Sequence, residues 1–503
     1  NGYTRTRSTD ADGTYQFQQV PPGSYVVTVD AARFARQSRR IELLVNQPMT
    51  ANFALALESV TMDLTVSGEA VALNSTDASM GNAFDGNTIQ ALPVQGDIPD
   101  LLSLQPGVLY LGLHNDQSHD SRSGSVIGAR SDQNNVTLDG VENNDQVRGY
   151  AFTGVLRSTL DSVQEFRVTT AGLNAENGRS SGAQVNVLTK SGTNEFHGSI
   201  YGRTRNLLSP ANDWFNKQAE LAEGLPNHPG RLDRNTYGAS LGGPLRKKKL
   251  FFFVTYEGEK INENKQMTMI VPALSLRAGQ LKYPHTENRT TQIVTLNPSQ
   301  IASMDPNCGS NNTCPWGAGA DPYSLAVFNQ YPMPNGYAAG DGLNTASYTW
   351  SAPAPATLNT YIAKLDYAVS PRNWLFLRGN LQNDRSLGVP QFPGQPPSSV
   401  DRDNSKGLAL GLNSVISPNL LNSLNYSFVR QGYASHGIGQ GSYANFYGMS
   451  TIEAETRTTI VDMPLHNVVD NLTWTRSHHT IQAGVNYRLL HNERVSDALS
   501  YDS

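Results

Sequence analysis

Charge is scarce in this chain. Asp, Glu, Lys and Arg make up 16% of its 503 residues, against about 25% in an average globular protein. The net charge is −5 and no basic face emerges, so nucleic acid is not the expected partner. No run of about 18 apolar residues exists, which excludes a transmembrane helix. It does not exclude a transmembrane β-barrel, whose lipid-facing and lumen-facing residues alternate so that hydropathy averages out. The mean hydropathy of −0.42 is compatible with such a wall. An initiator Met and a signal peptide are also missing. The chain opens at Asn1 in what reads as a strand and stops at Ser503 without a closing element, as a fragment would.

Catalytic and metal-binding patterns are missing too. Gly178-Arg179-Ser180-Ser181-Gly182 has the spelling of a nucleophile elbow, but that turn needs a strand before the Ser and a helix after it. Val185-Asn186-Val187-Leu188, an alternating strand, stands in the place of that helix, and no Asp and His stand as triad partners. Asp10-Ala11-Asp12-Gly13 opens like a calcium loop without the remaining ligands or closing Glu, and reads as a hairpin turn. Gly437, Gly439 and Gly441 lack the strand-to-helix setting of a dinucleotide site. The adjacent His478 and His479 are badly spaced for two ligands on one face. No enzyme, metal or cofactor is expected.

What is present is period-two alternation. Nine strands can be drawn in the C-terminal half, at 195–206, 235–243, 250–260, 361–369, 374–382, 407–416, 420–430, 468–475 and 480–489. Ile481, Ala483, Val485, Tyr487 and Leu489 share one face, and Gln482, Gly484, Asn486 and Arg488 the other. Leu408, Leu410, Leu412 and Ile416 likewise oppose Gly407, Ala409, Gly411 and Asn413. Strand lengths match the roughly 9 to 11 residues of a tilted membrane crossing. The connections alternate strictly between long and short. An up-and-down membrane barrel does this because its periplasmic turns are short and its extracellular loops long. Tyr256, Tyr367, Tyr426, Trp474 and Tyr487 lie near strand ends, where an aromatic girdle would be. The short turns include Arg246-Lys247-Lys248-Lys249, a solvated charge run. The longest connection, 261–360, is rich in Asn, Pro and Gly and carries Cys308 and Cys314. That spacing, with no His nearby, favours a local disulfide over a metal site.

Before the barrel, residues 1–57 read as a small β-sandwich, with strands at 14–17, 24–29, 41–45 and 51–57 separated by turns at Asp10–Gly13 and Val20–Gly23. Thr9-Asp10 through Gly13-Thr14-Tyr15, then Pro22-Gly23-Ser24-Tyr25, resembles the carboxypeptidase regulatory-like domain. A mixed segment runs from about Ala70 to Ser191. It has a short helix ending at Pro106-Gly107, then Ile127-Gly128-Ala129-Arg130, Asn135-Val136-Thr137-Leu138-Asp139-Gly140-Val141, and Leu160-Asp161-Ser162-Val163-Gln164-Glu165-Phe166-Arg167-Val168. These phrases resemble the plug of TonB-dependent outer-membrane receptors. The seam at 174–206, where Ser191-Gly192-Thr193-Asn194 turns one sheet into the next, and Leu241-Gly242-Gly243-Pro244-Leu245 through Tyr256-Glu257-Gly258 resemble the same branch.

The resemblance implies a mainly β fold with four parts: a sandwich at 1–57, a linker at 58–69, an α+β plug at 70–192, and an incomplete antiparallel transmembrane barrel at 193–503. Such barrels have about 22 strands. It implies a TonB box in the linker, at Val60, Thr61, Leu64, Thr65 and Val66, pairing by strand addition with a TonB-type energy-transducing complex. It also implies plug motif positions at Arg130, Asp139, Gly140, Glu165 and Arg167, with Glu165 on the strand that faces barrel arginines. The location is the outer membrane, with the first domain and plug on the periplasmic side and outer-membrane lipid around the wall. The cargo is a small substrate: an oligosaccharide, a peptide or a chelated metal. The rival expectation is a secreted or surface-attached β-sandwich adhesin.

Overall fold

The computed structural model describes residues 4–17, 20, 23–43, 49–57, 79–92, 101–102, 104–110, 124–130, 133–147, 154–172, 178, 180–206, 211–212, 214–222, 224, 226–227, 229–304, 319–337, 339–438, 445–454, 456–476 and 479–496. The TonB-box positions Val60, Thr61, Leu64, Thr65 and Val66 lie outside these, as do Cys308 and Cys314.

At the N-terminus, Gly23–Val29 (β1) and Gln37–Leu43 (β2) form an antiparallel pair. The expected strands at 14–17 and 51–57 are not ladder strands. They are tied instead by single bonds: Tyr15 Oη donates to Ala51 O (2.6 Å), Gln37 Nε2 to Ala54 O (2.7 Å), and Ala35 N to Ala56 O (2.8 Å). Asp10–Gly13 is a turn closed by Gly13 N to Asp10 O (2.9 Å), with Gly13 at φ +76°. It is a hairpin turn and not a calcium loop.

The plug is built on a five-stranded mixed sheet. Its strands are Met80–Asp85 (β3), Asn135–Leu138 (β7), Val141–Glu142 (β8), Val163–Ala171 (β9) and Gln184–Thr189 (β10), in the order β3-β9-β10-β7-β8. Val108–Tyr110 (β4), Gly124–Val126 (β5) and Ala129–Arg130 (β6) form a small second sheet. The helix Gly86–Ala91 (α1) ends well short of the expected end at Pro106-Gly107, and Asp85 caps its start by accepting from Thr88 N (2.9 Å). Leu101, Leu102, Val136, Leu138, Phe166, Val168 and Val185 are buried together as its core. Each fully buried large side chain contributes about 1.5–3 kcal/mol.

All nine expected barrel strands form, and each neighbouring pair is antiparallel. They are His197–Asn206 (β11), Leu232–Arg246 (β12), Leu250–Pro272 (β13), Thr345–Ser370 (β16), Asn373–Gln382 (β17), Lys406–Ser417 (β20), Leu420–Gly437 (β21), Thr459–Arg476 (β22) and His479–Leu490 (β23). Leu241, Val254, Leu365, Leu381, Leu408, Leu424, Leu472 and Val485 are exposed on the outward face, while Lys364, Asp366, Arg378, Asn380 and Asn467 are buried on the inward one. An apolar outside and a polar inside is the pattern of a membrane wall and the reverse of a sandwich.

The loop expected at 261–360 is strand at both of its ends. β13 and β16 stay paired from Leu250↔Tyr367 to Pro272↔Thr345, far beyond what a crossing requires. Met267, Met269 and Val271 keep the period-two pattern outside the membrane because other loops cover them. Between these strands lie the hairpin Leu281–Glu287 (β14) and Thr290–Leu296 (β15), and the helices Leu274–Arg277, Pro298–Met304 and Pro322–Phe328. Asp384–Leu387 (β18) and Ser399–Asp403 (β19) continue β17 and β20 upward, and Glu493–Ser496 (β24) pairs with β22. Tyr331 stacks edge-on against Phe392 (5.7 Å), Phe328 meets Phe446 (4.7 Å), and Tyr331 Oη donates to Ser450 O (2.9 Å). Three long connections thus share one small core on the extracellular side.

Candidate functional site at the plug seat

Asp139 and Gly140 form the two-residue turn between β7 and β8, with φ +50° and +79°. Both centres in the left-handed region is what an Asp-Gly hairpin turn requires. The turn drives the Asp139 carboxylate into the barrel wall. Its Oδ1 lies 3.2 Å from Lys364 Nζ on β16, and its Oδ2 lies 2.8 Å from Arg378 Nε on β17. Thr189 at the end of β10 donates its backbone N–H (3.0 Å) and its hydroxyl (2.8 Å) to the same carboxylate. The Arg378 approach is a charge contact and not an aligned hydrogen bond. Its guanidinium donates instead to Asn380 Oδ1 (2.6 Å) and Leu138 O (3.3 Å). Burial alone pushes the Asp139 pKa up, but the two cations and the Thr189 donors outweigh it and hold the carboxyl below its ordinary value.

Four further ties surround this one. Arg157 forms an ion pair with Asp384 (2.5 Å), donates to Thr360 Oγ1 (3.2 Å) and, through its backbone N–H, to Gln382. Glu142 on β8 receives Arg488 of β23 (2.8 Å), and Asp145 accepts from Gln431 (2.9 Å). Asp161 accepts from Lys190 (3.1 Å) and from Ser199 on β11 (2.7 Å). Burial raises the Asp161 pKa, and the Ser240, Ser199 and Lys190 donors together lower it by more, for a net downward shift. Apolar contact is local: Leu156 fills the space over Gly407, where a Cβ would lie 2.4 Å from Leu156 Cδ1.

The seam is clamped below the seat. A Cβ on Gly192 would lie 2.3 Å from Phe252 O and 2.6 Å from Gly243 O, so the link threads against two paired strands. Asn194 Oδ1 accepts from Lys248 N (2.6 Å), and Lys248 has φ +61° in the β12–β13 turn.

Of the expected motif positions, Asp139 and Gly140 are at the seat. Glu165 and Arg167 are buried inside β9, between β3 and β10. The plug carboxylates the structure places on barrel arginines are Asp139, beside Arg378, and Glu142, beside Arg488. Glu165, expected to face barrel arginines, is buried on β9. Arg130 is exposed at the end of β6, where its backbone N–H donates to Gln133 (2.9 Å). The stretch 178–182 leads into β10, and Ser180 Oγ donates to Ala183 O (2.9 Å), so it is no nucleophile elbow. Sequence reasoning missed Lys364, Arg378, Arg157 and Glu142. A charge alternating into the inward face of a barrel strand was the signal for the first two. Among the described residues, no group of three or more His, Cys, Asp or Glu is placed to hold a metal.

Residues 188–501 match the family described as outer membrane beta barrel domain, and residues 1–56 the carboxypeptidase regulatory-like domain. The TonB-dependent transporter Oar of Myxococcus xanthus is 28% identical over 263 residues, covering 50% of this chain and 23% of that protein. The chain thus spans about a quarter of the curated relative it matches. Among solved structures, the outer membrane transporter YddB of Escherichia coli aligns at 13% identity and TM-score 0.48, over 82% of this chain and 50% of that one. The ferric enterobactin receptor PfeA of Pseudomonas aeruginosa aligns at 13% identity and TM-score 0.46, over 82% and 49%. These relatives are named as transporters and receptors and not as enzymes. The chain belongs to the outer membrane beta barrel family and carries a carboxypeptidase regulatory-like domain at its N-terminus.

Proposed function

We propose that this chain is the periplasmic module, linker, plug and first part of the wall of a transporter that imports a small cargo. The inner-membrane energy complex pulls on the linker at 58–69, through Val60, Thr61, Leu64, Thr65 and Val66, and the plug moves to admit cargo bound at the extracellular loops and plug apex. The observation that carries this reading is the chemistry of the seat. Asp139, Glu142 and Arg157 hold the plug to the wall by ion pairs, and Asp161 by the hydrogen bond from Ser199. Water can replace such contacts when they separate, whereas a greasy seat would have to expose apolar surface. No bond in the cargo is broken, so the free energy of import must come from outside the protein.

Uptake by cells carrying the full-length gene tests this. Uptake should fall to the passive background when the energy complex is deleted, and also when Val60 and Leu64 are both replaced by proline, which removes strand-pairing donors. Equal uptake with and without the complex contradicts the proposal.

A further inference from the structure

The β18–β19 hairpin sets like charges opposite each other twice. In register, Asp384 faces Asp403 and, one step along, Arg385 faces Arg402. Like charges directly across an antiparallel pair are destabilising. On the inner face the plug supplies a counter-charge: Arg157 pairs with Asp384 and also acts on Asp403. On the outer face no comparable counter-charge stands among the described residues. Arg385 and Arg402 are exposed, and neither has a carboxylate partner among the described residues. The outward carboxylate Asp462 is already held by Arg430 (2.6 Å).

The outer cations form a strip. Register aligns Lys260, Thr357, Arg385 and Arg402 in one row across β13, β16, β18 and β19. A lower row runs Tyr256, Tyr361, Leu381, Lys406 and Arg430. Lys260 and Lys406 are exposed, on the same outward face as the apolar belt. The strip stands on the side of the long connections, at the upper edge of that belt. Directly beneath it the wall is hollowed: Ala363 and Gly379 are the small residues in the row Leu241, Val254, Ala363, Gly379 and Leu408. The resulting groove, about 830 Å³, is lined on its outward side by Val254, Tyr256, Tyr361, Leu381 and Leu408.

We propose that this outer wall binds a phosphorylated lipid of the outer leaflet. Its phosphate lies against Arg385, Arg402, Lys260 and Lys406, and an acyl chain lies in the groove over Ala363 and Gly379. Arginine guanidinium presents paired donors to phosphate oxygens, and an anion there supplies the counter-charge that the Arg385/Arg402 pair lacks. The groove supplies the second half of the recognition, because a free phosphate would leave it to bulk lipid.

The test uses the full-length receptor, purified in detergent and scored by native mass spectrometry against bisphosphorylated lipid A, dephosphorylated lipid A and inorganic phosphate. Wild type should retain the bisphosphorylated lipid at least about tenfold better than the dephosphorylated one, as charge-assisted pairing implies. Arg385→Gln with Arg402→Gln should abolish that preference. Gly379→Leu, whose Cβ meets nothing within 4 Å, should weaken both lipids while leaving their ratio intact. A heat-modifiable gel shift identical to wild type shows each variant folded, and only such variants are scored. Equal retention of the two lipids by wild type, competition by inorganic phosphate at matched concentration, or an unaffected Gly379→Leu overturns the proposal.

Discussion

Asp139→Ala in the full-length receptor is expected to weaken plug seating by about 3–5 kcal/mol, the range for removing one partner of a buried ion pair. The reason is what remains. Lys364 and Arg378 are almost fully buried, and without this carboxylate two cations would share a low-dielectric site with carbonyl and amide oxygens and the neighbouring Asp366 left to solvate them. Asp139→Asn should cost less, because an amide keeps a polar atom toward Thr189 while losing the charge. Urea titration read by hydrogen exchange at β7 and β10, with ion conductance in planar bilayers, measures the effect. The plug transition should move to lower urea and conductance should appear. An unchanged midpoint in a closed barrel contradicts the assignment. The same pair sets the acid limit of the wild type. Since the folded pKa of Asp139 is lowered, its contribution is complete above the unfolded value of about 3.9 and is lost as pH falls through the lower folded value. Plug loosening should therefore appear only in strong acid.

The second large effect is expected at the seam. Gly192→Val places a side chain where Phe252 O, Gly243 O and Phe252 N already stand at 2.3, 2.6 and 2.9 Å from even the first added carbon. Those atoms are backbone of two strands bonded to each other, so no rotamer relieves the overlap and the strands themselves must part. Overpacking of this kind costs about 1–3 kcal/mol, or more where nothing can yield. About 1.4 kcal/mol is already tenfold in an equilibrium. The heat-modifiable fraction of the full-length receptor should fall sharply for Gly192→Val. It should hold for Gly202→Ala on β11, where an added Cβ meets nothing within 4 Å. Equal assembly of the two variants would show that the link does not thread as described.

The wall was legible in the sequence because its two faces meet different solvents. Ile481 to Leu489 against Gln482 to Arg488 is a statement about lipid and water, and it needs no partner to be read. The Asp139-Gly140 turn was legible for an equally local reason, since few pairs accept two left-handed centres. The seat was not. Lys364, Arg378 and Arg157 acquire their roles from residues more than two hundred positions away, and alternation places a charge on the inward face without naming what it meets. Glu165 was expected at the wall because residues 160–168 resemble the plug strand whose Glu faces barrel arginines. The strand is central, flanked by β3 and β10, and Glu165 is buried on it, on the face opposite the core residues Phe166 and Val168. The length of β13 and β16 was hidden by Pro353 and Pro355 on β16 and by Asn262 and Asn264 opposite them on β13, residues that normally end strands. Here they continue because β13 stays paired and other loops cover the ribbon.

The central claim is that the second half of the chain is a wall between lipid and a plugged, polar interior. Nitroxide labels placed singly at residues 407–412 of the full-length receptor, with Cys308 and Cys314 replaced by serine, test it directly in bilayers. Labels at Leu408, Leu410 and Leu412 should be relaxed strongly by oxygen, which concentrates in lipid. Those at Gly407, Ala409 and Gly411 should be shielded by the plug and lumen, giving a period of two along β20. Uniform oxygen access, or strong relaxation by a water-soluble nickel chelate on the leucine face, would contradict the account.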